Sequence, residues 1–324
     1  MSLDLYNYRT EKPFTQKNLV TLQDYSRDEI YLLLSTALDL KKKQKAGIPH
    51  PYLSGKALGM IFTKASTRTR VSFEVGIHQL GGYALYLNAG DIQLGRGETI
   101  SDTARVLSRY LDGIMIRTFK QQDVEELAKH SSIPVINGLT DLLHPCQVLA
   151  DLMTIYENKG ALSGLKLAFI GDGNNMSHSL LIGCTKVGIH ISVACPEGYM
   201  PNQKIVEMAR ENGKETGANV IITHDPVEAV CNADVVYTDV WASMGQEKDF
   251  KNRVEHFMPY QVNNKLFSYA KHDAIFMHCL PAHRSEEVTA DVIDGPHSVV
   301  FDEAENRLHM HKAIMVLLMG DRKE

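Results

Sequence analysis

Short apolar runs of four to six residues recur along the chain, separated by stretches whose apolar positions return with helical spacing. The runs predict strands over residues 58–62, 114–116, 134–136, 167–170, 190–194, 220–223, 235–238, 275–277 and 298–301. The intervening periodicity predicts helices over 70–79, 99–110, 124–129, 146–156 and 179–187. Strands alternating with helices in this way describe α/β architecture, in which a mostly parallel sheet is covered on both faces. No internal repeat or low-complexity tract interrupts the alternation. Residues 157–164, Glu-Asn-Lys-Gly-Ala-Leu-Ser-Gly, carry the polar and glycine signals of a hinge after a long helix. A domain boundary is expected near it, giving a first domain over 1–150 and a second over 151–304.

Composition narrows the classes. The 324 residues fit two domains, and 44% hydrophobic with 23% charged residues is the balance of an ordinary globular chain. A formal charge of −5 argues against a surface built for nucleic acid or anionic lipid. Any anion site must then be a local cluster of cations and helix N-termini. The first residues show neither the basic n-region nor the apolar h-region of a signal peptide. The apolar stretch 313–319 is far too short for a membrane span. Five cysteines, at 146, 184, 195, 231 and 279, make no CxxC pair and leave an odd number, which favours a reduced cytosolic setting.

In open α/β sheets ligands bind outside the carboxyl ends of the strands, so the chemistry is expected at those ends. The first-half ends collect cations and hydroxyls. Ser66-Thr67-Arg68-Thr69-Arg70 opens a helix, Arg117 follows a strand, and Asn137 precedes His144-Pro145-Cys146-Gln147, which opens another helix. Helix N-termini with hydroxyl donors and a planar guanidinium suit phosphate. Taken alone, Ser66–Arg70 equally suits a capped helix and Arg117 a buried strand end; their recurrence at consecutive ends points to a phosphate site.

The second-half ends differ in kind. Asn175, Asp239 and Ser243 offer acceptors and neutral donors suited to amino groups and a carboxylate, although Asp239 alone also reads as a cap or turn former. Gly171-x-Gly173 invites a dinucleotide reading, but Met176 stands where the third glycine of that fingerprint belongs. His309 and His311 lie two apart on the last helix and face different sides, and no H-E-x-x-H or Cys/His cluster is present, so no metal is expected. Cys279 beside His278 lacks an orienting third group, which favours packing or substrate contact over nucleophilic attack.

Together these motifs resemble the aspartate/ornithine carbamoyltransferase family. Ser66–Arg70 is similar to its carbamoyl-phosphate signature and His144-Pro145-Cys146-Gln147 to its second phosphate-side motif. Asp239 with Ser243-Met244-Gly245, and His278-Cys279-Leu280-Pro281, resemble the ornithine branch. The resemblance runs from about Asn18 through the last helix.

The resemblance implies a two-domain subunit that forms trimers or assemblies of trimers, with residues 305–324 returning to pack on the first domain. It implies carbamoyl phosphate on Ser66, Thr67, Arg68, Thr69, Gln93, Arg117, His144, Pro145, Cys146, Gln147, Cys279, Leu280 and Arg307. Ornithine would meet Asn175, Asp239, Ser243 and Met244 between the domains. The Gly-rich segment 88–97 would carry Gln93 to an adjoining subunit's site. No cofactor or metal is implied, and neither is a membrane or nucleic-acid partner.

The residue chemistry fits direct attack of a neutral side-chain amine on the carbonyl carbon of carbamoyl phosphate. Arg117, His144 and Thr69 suit the developing oxyanion and Arg68 the departing phosphate, with Gln147 and Cys279 completing the set expected to act in catalysis. Rival acceptors are aspartate, putrescine and an acylated ornithine. An aspartate site would need cations for a second carboxylate, which Ser243-Met244-Gly245 lacks; a putrescine site would need no carboxylate-binding groups. The acetylated-ornithine relatives carry a proline-rich loop where this chain has only Pro259. A non-catalytic module that closes on an anionic metabolite would keep Ser66–Arg70 without needing Asp239, Ser243 and Cys279 together.

Overall fold

The computed structural model describes residues 3–90, 97–242 and 250–320. Contacts divide the chain into two units, Met1–Met153 with Asn306–Glu324, and Thr154–Glu305. The divisions fall inside the helices Pro145–Lys159 and Val300–Met319.

The first unit holds the strands β1 (Ala57–Phe62), β2 (Tyr83–Asn88), β3 (Gly113–Arg117) and β4 (Val135–Leu139) in the order β2-β1-β3-β4. All pairings are parallel. β1 and β3 are buried along their whole length, which is why they read as continuous apolar runs. Ile61, Ile114, Ile116, Val124, Leu127 and Val135 build a core between this sheet and its helices. The second unit holds β5 (Lys166–Ile170), β6 (His190–Ala194), β7 (Val220–Thr223), β8 (Val235–Thr238) and β9 (Ile275–His278), in the order β7-β6-β5-β8-β9 and again all parallel. Its core is built on Ile170, Val236, Phe276, Val288 and Ile293. All five cysteines are free thiols.

Each sheet reverses its strand order at one place. In the first, β1 lies between β2 and β3; in the second, β5 lies between β6 and β8. At such switch points the loops leave in opposite directions and open a crevice. Phe62 pairs with Arg117 at the first switch, and Ile170 pairs with Thr238 at the second. The strand ends rich in polar chemistry therefore sit at the two crevices.

Two sequence expectations change, and two elements were not foreseen. Residues 298–301 are not a strand: Ser298 makes one isolated bridge to Phe276, and Val300 already begins the helix Val300–Met319. The short run Val299-Val300-Phe301 has no period of its own, and Asp302 and Glu303 in the first turn favour the helix through its dipole. β2 was not expected, although Tyr83–Leu87 is an unbroken apolar and aromatic run; in the fold it is mostly exposed. The helix Arg27–Lys45 was also missed, although Ser26 and Glu29 form a reciprocal capping box at its start. Asn137, expected beyond a strand end, lies within β4 and donates to the Val20 carbonyl at 3.0 Å.

Candidate active site

In the first unit the helix Thr67–Gln79 starts directly after β1, with Ser66 as its cap. The Ser66 hydroxyl accepts from the Thr69 backbone N–H at 3.3 Å. This places the Thr69 hydroxyl at the switch point, fully buried. Two guanidiniums meet on it: Arg117 Nη1 at 3.4 Å and Arg307 Nη2 at 2.9 Å. Arg307 also donates through Nη1 to Gln147 Oε1 at 2.9 Å, and Gln147 Nε2 donates to Asp151 Oδ1 at 2.8 Å. A single network thus joins β1's loop, the end of β3, the helix Pro145–Lys159 and the last helix. Arg68 is half-buried and Thr67 is exposed. Arg70 turns outward to pair with Glu74 at 2.9 Å and cover the Tyr86 ring.

His144 lies buried at the start of the helix Pro145–Lys159, whose proline at the first position needs no N–H partner. Burial pushes its imidazole well below the ordinary value of 6.5, and the charges of Arg307, Arg117 and Arg68 push the same way. His144 is therefore a neutral imidazole among three guanidiniums. Such a concentration of positive charge around a neutral hydrogen-bonding group is suited to a small dianion and to an oxygen gaining charge. Cys146 faces the sheet and donates its thiol to the Asn137 carbonyl at 3.3 Å. Burial pushes its pKa up to about 12, which removes it from nucleophilic chemistry.

In the second unit the Asp239 carboxylate stands just after β8. Its Oδ2 accepts from Asn174 Nδ2 at 2.9 Å, and its Oδ1 accepts from the Val240 N–H at 2.8 Å and from the Cys279 thiol at 3.1 Å. Asn174 is a neighbour of Asp239. Its side-chain oxygen also caps the helix Asn175–Val187 by accepting from Met176 and Ser177, while Asn175 is half-buried one position further on. Ser243 and Met244 of the second unit, and Gln93 of the first, lie outside the described residues.

Cys279 follows β9, and the arrangement around it speaks against an imidazole-activated thiolate. His278 Nδ1 accepts the Leu280 N–H at 2.9 Å, so the ring proton belongs to Nε2, which faces Glu287 Oε1 at 3.2 Å. Both ring nitrogens are engaged away from the thiol. Leu280 has φ +55°, in the left-handed region, and is followed by a cis peptide to Pro281. Glu303 holds the base of this turn, accepting from the Tyr237 hydroxyl and the His278 N–H, each at 3.0 Å.

Asp151, Asn174, Glu287 and Glu303 support the candidate groups but were not singled out from sequence. Asn174 carried a local signal, since asparagine is a common cap and it directly precedes the helix Asn175–Val187. Asp172 was also passed over: burial, opposed by the Arg253 guanidinium that contacts it, raises its carboxyl to about 6.

Two family models match this chain. The carbamoyl-P binding domain of aspartate/ornithine carbamoyltransferase covers residues 17–157, and the Asp/Orn binding domain covers residues 163–318. An ornithine carbamoyltransferase of Thermococcus kodakarensis is 61% identical over 307 residues, spanning 95% of this chain and 98% of that protein. One of Oceanobacillus iheyensis is 61% identical over 305 residues, spanning 94% and 95%. The solved ornithine carbamoyltransferase of Pyrococcus furiosus superposes with a TM-score of 0.94 at 58% identity, covering 96% of this chain and all of that one (100%). With both domain models matched in order and the two switch-point crevices carrying the corresponding motifs, the chain belongs to the aspartate/ornithine carbamoyltransferase family.

Proposed function

We propose that this chain transfers the carbamoyl group of carbamoyl phosphate to the side-chain amine of L-ornithine, releasing L-citrulline and phosphate. The observation that carries the reading is the pair of chemically different strand-end sites, the Arg117 and Arg307 guanidiniums converging on the buried Thr69 hydroxyl in one unit and Asp239 with Cys279 in the other. Identity near 60% to ornithine carbamoyltransferases over almost the whole chain supports ornithine as the acceptor.

In this reading the first unit takes carbamoyl phosphate. Ser66, Thr67, Arg68 and Thr69 at the helix start hold the phosphate, with Gln93 joining them. Arg117, Arg307 and the Thr69 hydroxyl face the carbonyl oxygen as it gains charge, and neutral His144 donates or accepts without a net charge of its own. Gln147, carried by Pro145 and Cys146 on the helix that follows, orients the carbamoyl amide. The second unit takes ornithine, with Asn175, Ser243 and Met244 on its α-substituents and Asp239 near its side-chain amine. Cys279 and Leu280 are read as further carbamoyl-phosphate contacts supplied by the second unit. The amine attacks as the neutral form; a carbon–nitrogen bond forms, a tetrahedral intermediate carries the charge on oxygen, and the carbon–oxygen bond to phosphate breaks as the amine's proton passes to the departing phosphate. Orientation of two bound reactants and a preorganised positive site supply the acceleration.

The subunit is read as part of a homotrimer or an assembly of trimers. β2 is an edge strand, and Tyr83, Leu85 and Tyr86 on it, with Val71 and Val75 on the preceding helix, are all exposed. An apolar edge of that kind is suited to a second copy. A cytoplasmic setting is the companion reading. No helix among the described residues is long and apolar enough to cross a membrane.

The test is product formation with defined acceptors. Citrulline and phosphate should appear in equal amounts only when carbamoyl phosphate and ornithine are both present, with putrescine, N-acetylornithine and aspartate giving far lower rates. Equal rates with putrescine would remove the need for a carboxylate-binding site, and phosphate release independent of any amine would indicate a hydrolase.

A further inference from the structure

Outside the carbamoyl-transfer groups, one turn of the second unit brings together a histidine and two glutamates. His283, Glu286 and Glu287 each offer a ligand atom, and these atoms lie within 4.8 Å of one another. His283 Nδ1 stands 3.4 Å from Glu286 Oε2 and 3.8 Å from Glu287 Oε2. Both spacings exceed the range of good N–H···O hydrogen bonds, about 2.7–3.2 Å. They instead approach the separation of two ligands on one small ion, since donors about 2.0–2.2 Å from a tetrahedral centre stand roughly 3.3–3.6 Å apart. The His283 side chain is half-exposed.

A second observation points the same way. The Glu287 side chain is fully buried, and its Oε2 has no hydrogen-bond partner among the described residues. A buried carboxylate oxygen left unpaired is expensive, and native structures usually satisfy it with a partner, a water or an ion. The other oxygen is firmly held: Oε1 accepts from the His283 backbone N–H and faces His278 Nε2 at 3.2 Å. That fixes Oε2 toward the His283 and Glu286 side chains, the support that metal-binding carboxylates ordinarily receive. The one basic side chain inside the turn is taken, because Arg284 makes a two-pronged pair with Asp294 at 2.8 and 2.6 Å. Two carboxylates therefore face each other beside an imidazole with no guanidinium between them.

We infer that His283, Glu286 and Glu287 form a binding site for a divalent transition-metal ion of the zinc class. One imidazole nitrogen with two carboxylate oxygens is a borderline donor set, and water completes the coordination on the exposed side. Calcium and magnesium, which favour all-oxygen surroundings, are not expected to compete at equal concentration. The ion would clamp residues 283–287 against His278. This assignment stands apart from the reading of the carbamoyl-transfer site and does not require it.

Zinc alone is the probe, and one neighbouring group must be silenced. Asp239, His278 and Cys279 also lie within 4.8 Å of one another but belong to the candidate active site. The parent for the experiment is therefore the full chain carrying Cys279→Ala, titrated with Zn²⁺ by calorimetry. It should take up one ion per chain, and Zn²⁺ should raise its thermal midpoint. Adding His283→Ala or, separately, Glu286→Gln should weaken that uptake at least tenfold and abolish the rise in midpoint. Neither change touches a fully buried side chain, and matching metal-free midpoints establish that both variants fold. If one variant folds poorly, the other carries the comparison. Zinc uptake equal to the parent's in the folded variants overturns the assignment, and so does a Cys279→Ala parent that takes up no zinc.

Discussion

Arg307 donates from Nη2 to the hydroxyl of Thr69 at 2.9 Å, across 238 positions of sequence, and from Nη1 to Gln147 at the same distance. One planar guanidinium therefore sets two candidate substrate groups on different helices at once. A charge-assisted hydrogen bond of this kind contributes roughly 1.5–3 kcal/mol, or about one to two powers of ten. Arg307→Ala should raise the carbamoyl-phosphate requirement by that factor. Arg307→Lys should recover little, because a single ammonium cannot reproduce the fork. Saturation curves against carbamoyl phosphate, with ornithine held in excess, measure both.

Asp239 tests the division of labour between the two units. Asparagine is isosteric and keeps an oxygen for Val240 N–H and Cys279, but it turns an amide N–H toward the Asn174 donor, so Asp239→Asn should fold with a lowered thermal midpoint. Loss of the carboxylate should lower kcat/KM for ornithine by at least about tenfold, the size of a charge-assisted contact. Binding of carbamoyl phosphate, followed by calorimetry without ornithine, should change by less than twofold. A variant that loses carbamoyl phosphate instead would place Asp239 in the other half-site.

His311 makes a pH prediction with a definite sign. Its ring stacks on Phe73 with centroids 3.9 Å apart, and its Nδ1 lies 2.8 Å from the Ser72 hydroxyl. Burial first, and then the Arg307 charge, push its pKa well below 6.5. The folded protein thus keeps this ring neutral, while the unfolded chain takes up a proton below about 6.5. Stability contributed by the neutral ring is full above that value and falls as pH falls, by about 1.4 kcal/mol per pH unit for one proton. His144 is depressed in the same direction. Urea unfolding between pH 7.5 and 5.5 should show the loss, and His311→Gln should reduce its slope by about one proton. An unchanged slope would mean that His311 is already charged in the fold.

How much of this was legible in advance follows from burial. β1, β3, β5 and β8 are buried throughout or nearly so, and such strands announce themselves as unbroken apolar runs. β2 carries the unbroken apolar and aromatic run Tyr83–Leu87, a strand signal that went unread although the strand itself lies at a sheet edge and is mostly exposed. Residues 298–301 failed for the converse reason, since three apolar residues in a row fit a strand or a helix start equally well. The strand ends disclosed Thr69, Arg117, His144 and Asp239 because topology puts chemistry there. Arg307 did not follow from any spacing; the resemblance gave it only as a carbamoyl-phosphate contact, and its bonds to Thr69 and Gln147 emerge only in the fold. Asp151 and Glu303 were beyond reach, because each acts through a partner that only the folded chain brings near.

Gly173 offers a last prediction, and it bears on why the Gly171-x-Gly173 turn exists without a dinucleotide. A Cβ added at Gly173 would lie 2.3 Å from the Met200 carbonyl carbon and 2.3 Å from the Pro201 nitrogen. Both are backbone atoms, so no flexible side chain is available to swing aside. The Gly173 N–H also donates to the Tyr199 carbonyl at 2.8 Å, which holds the two segments together. Close approach of backbone to backbone therefore accounts for the glycine, with no pyrophosphate required. Gly173→Ala should destabilise the second unit by about 1–3 kcal/mol, the usual cost of forcing extra atoms into a packed site. Asn174 follows directly and holds Asp239 at 2.9 Å, so the shift should reach the ornithine side as well. Gly198→Ala is the control: it lies close by in sequence, at φ +84°, with no atom within 4 Å of the added carbon. It should show backbone strain in the thermal midpoint while leaving the ornithine KM unchanged. Gly173→Ala should lower the midpoint and raise the ornithine KM together. A Gly173→Ala protein with both values intact would mean that the 199–201 segment yields freely and that the close approach is not what selects glycine.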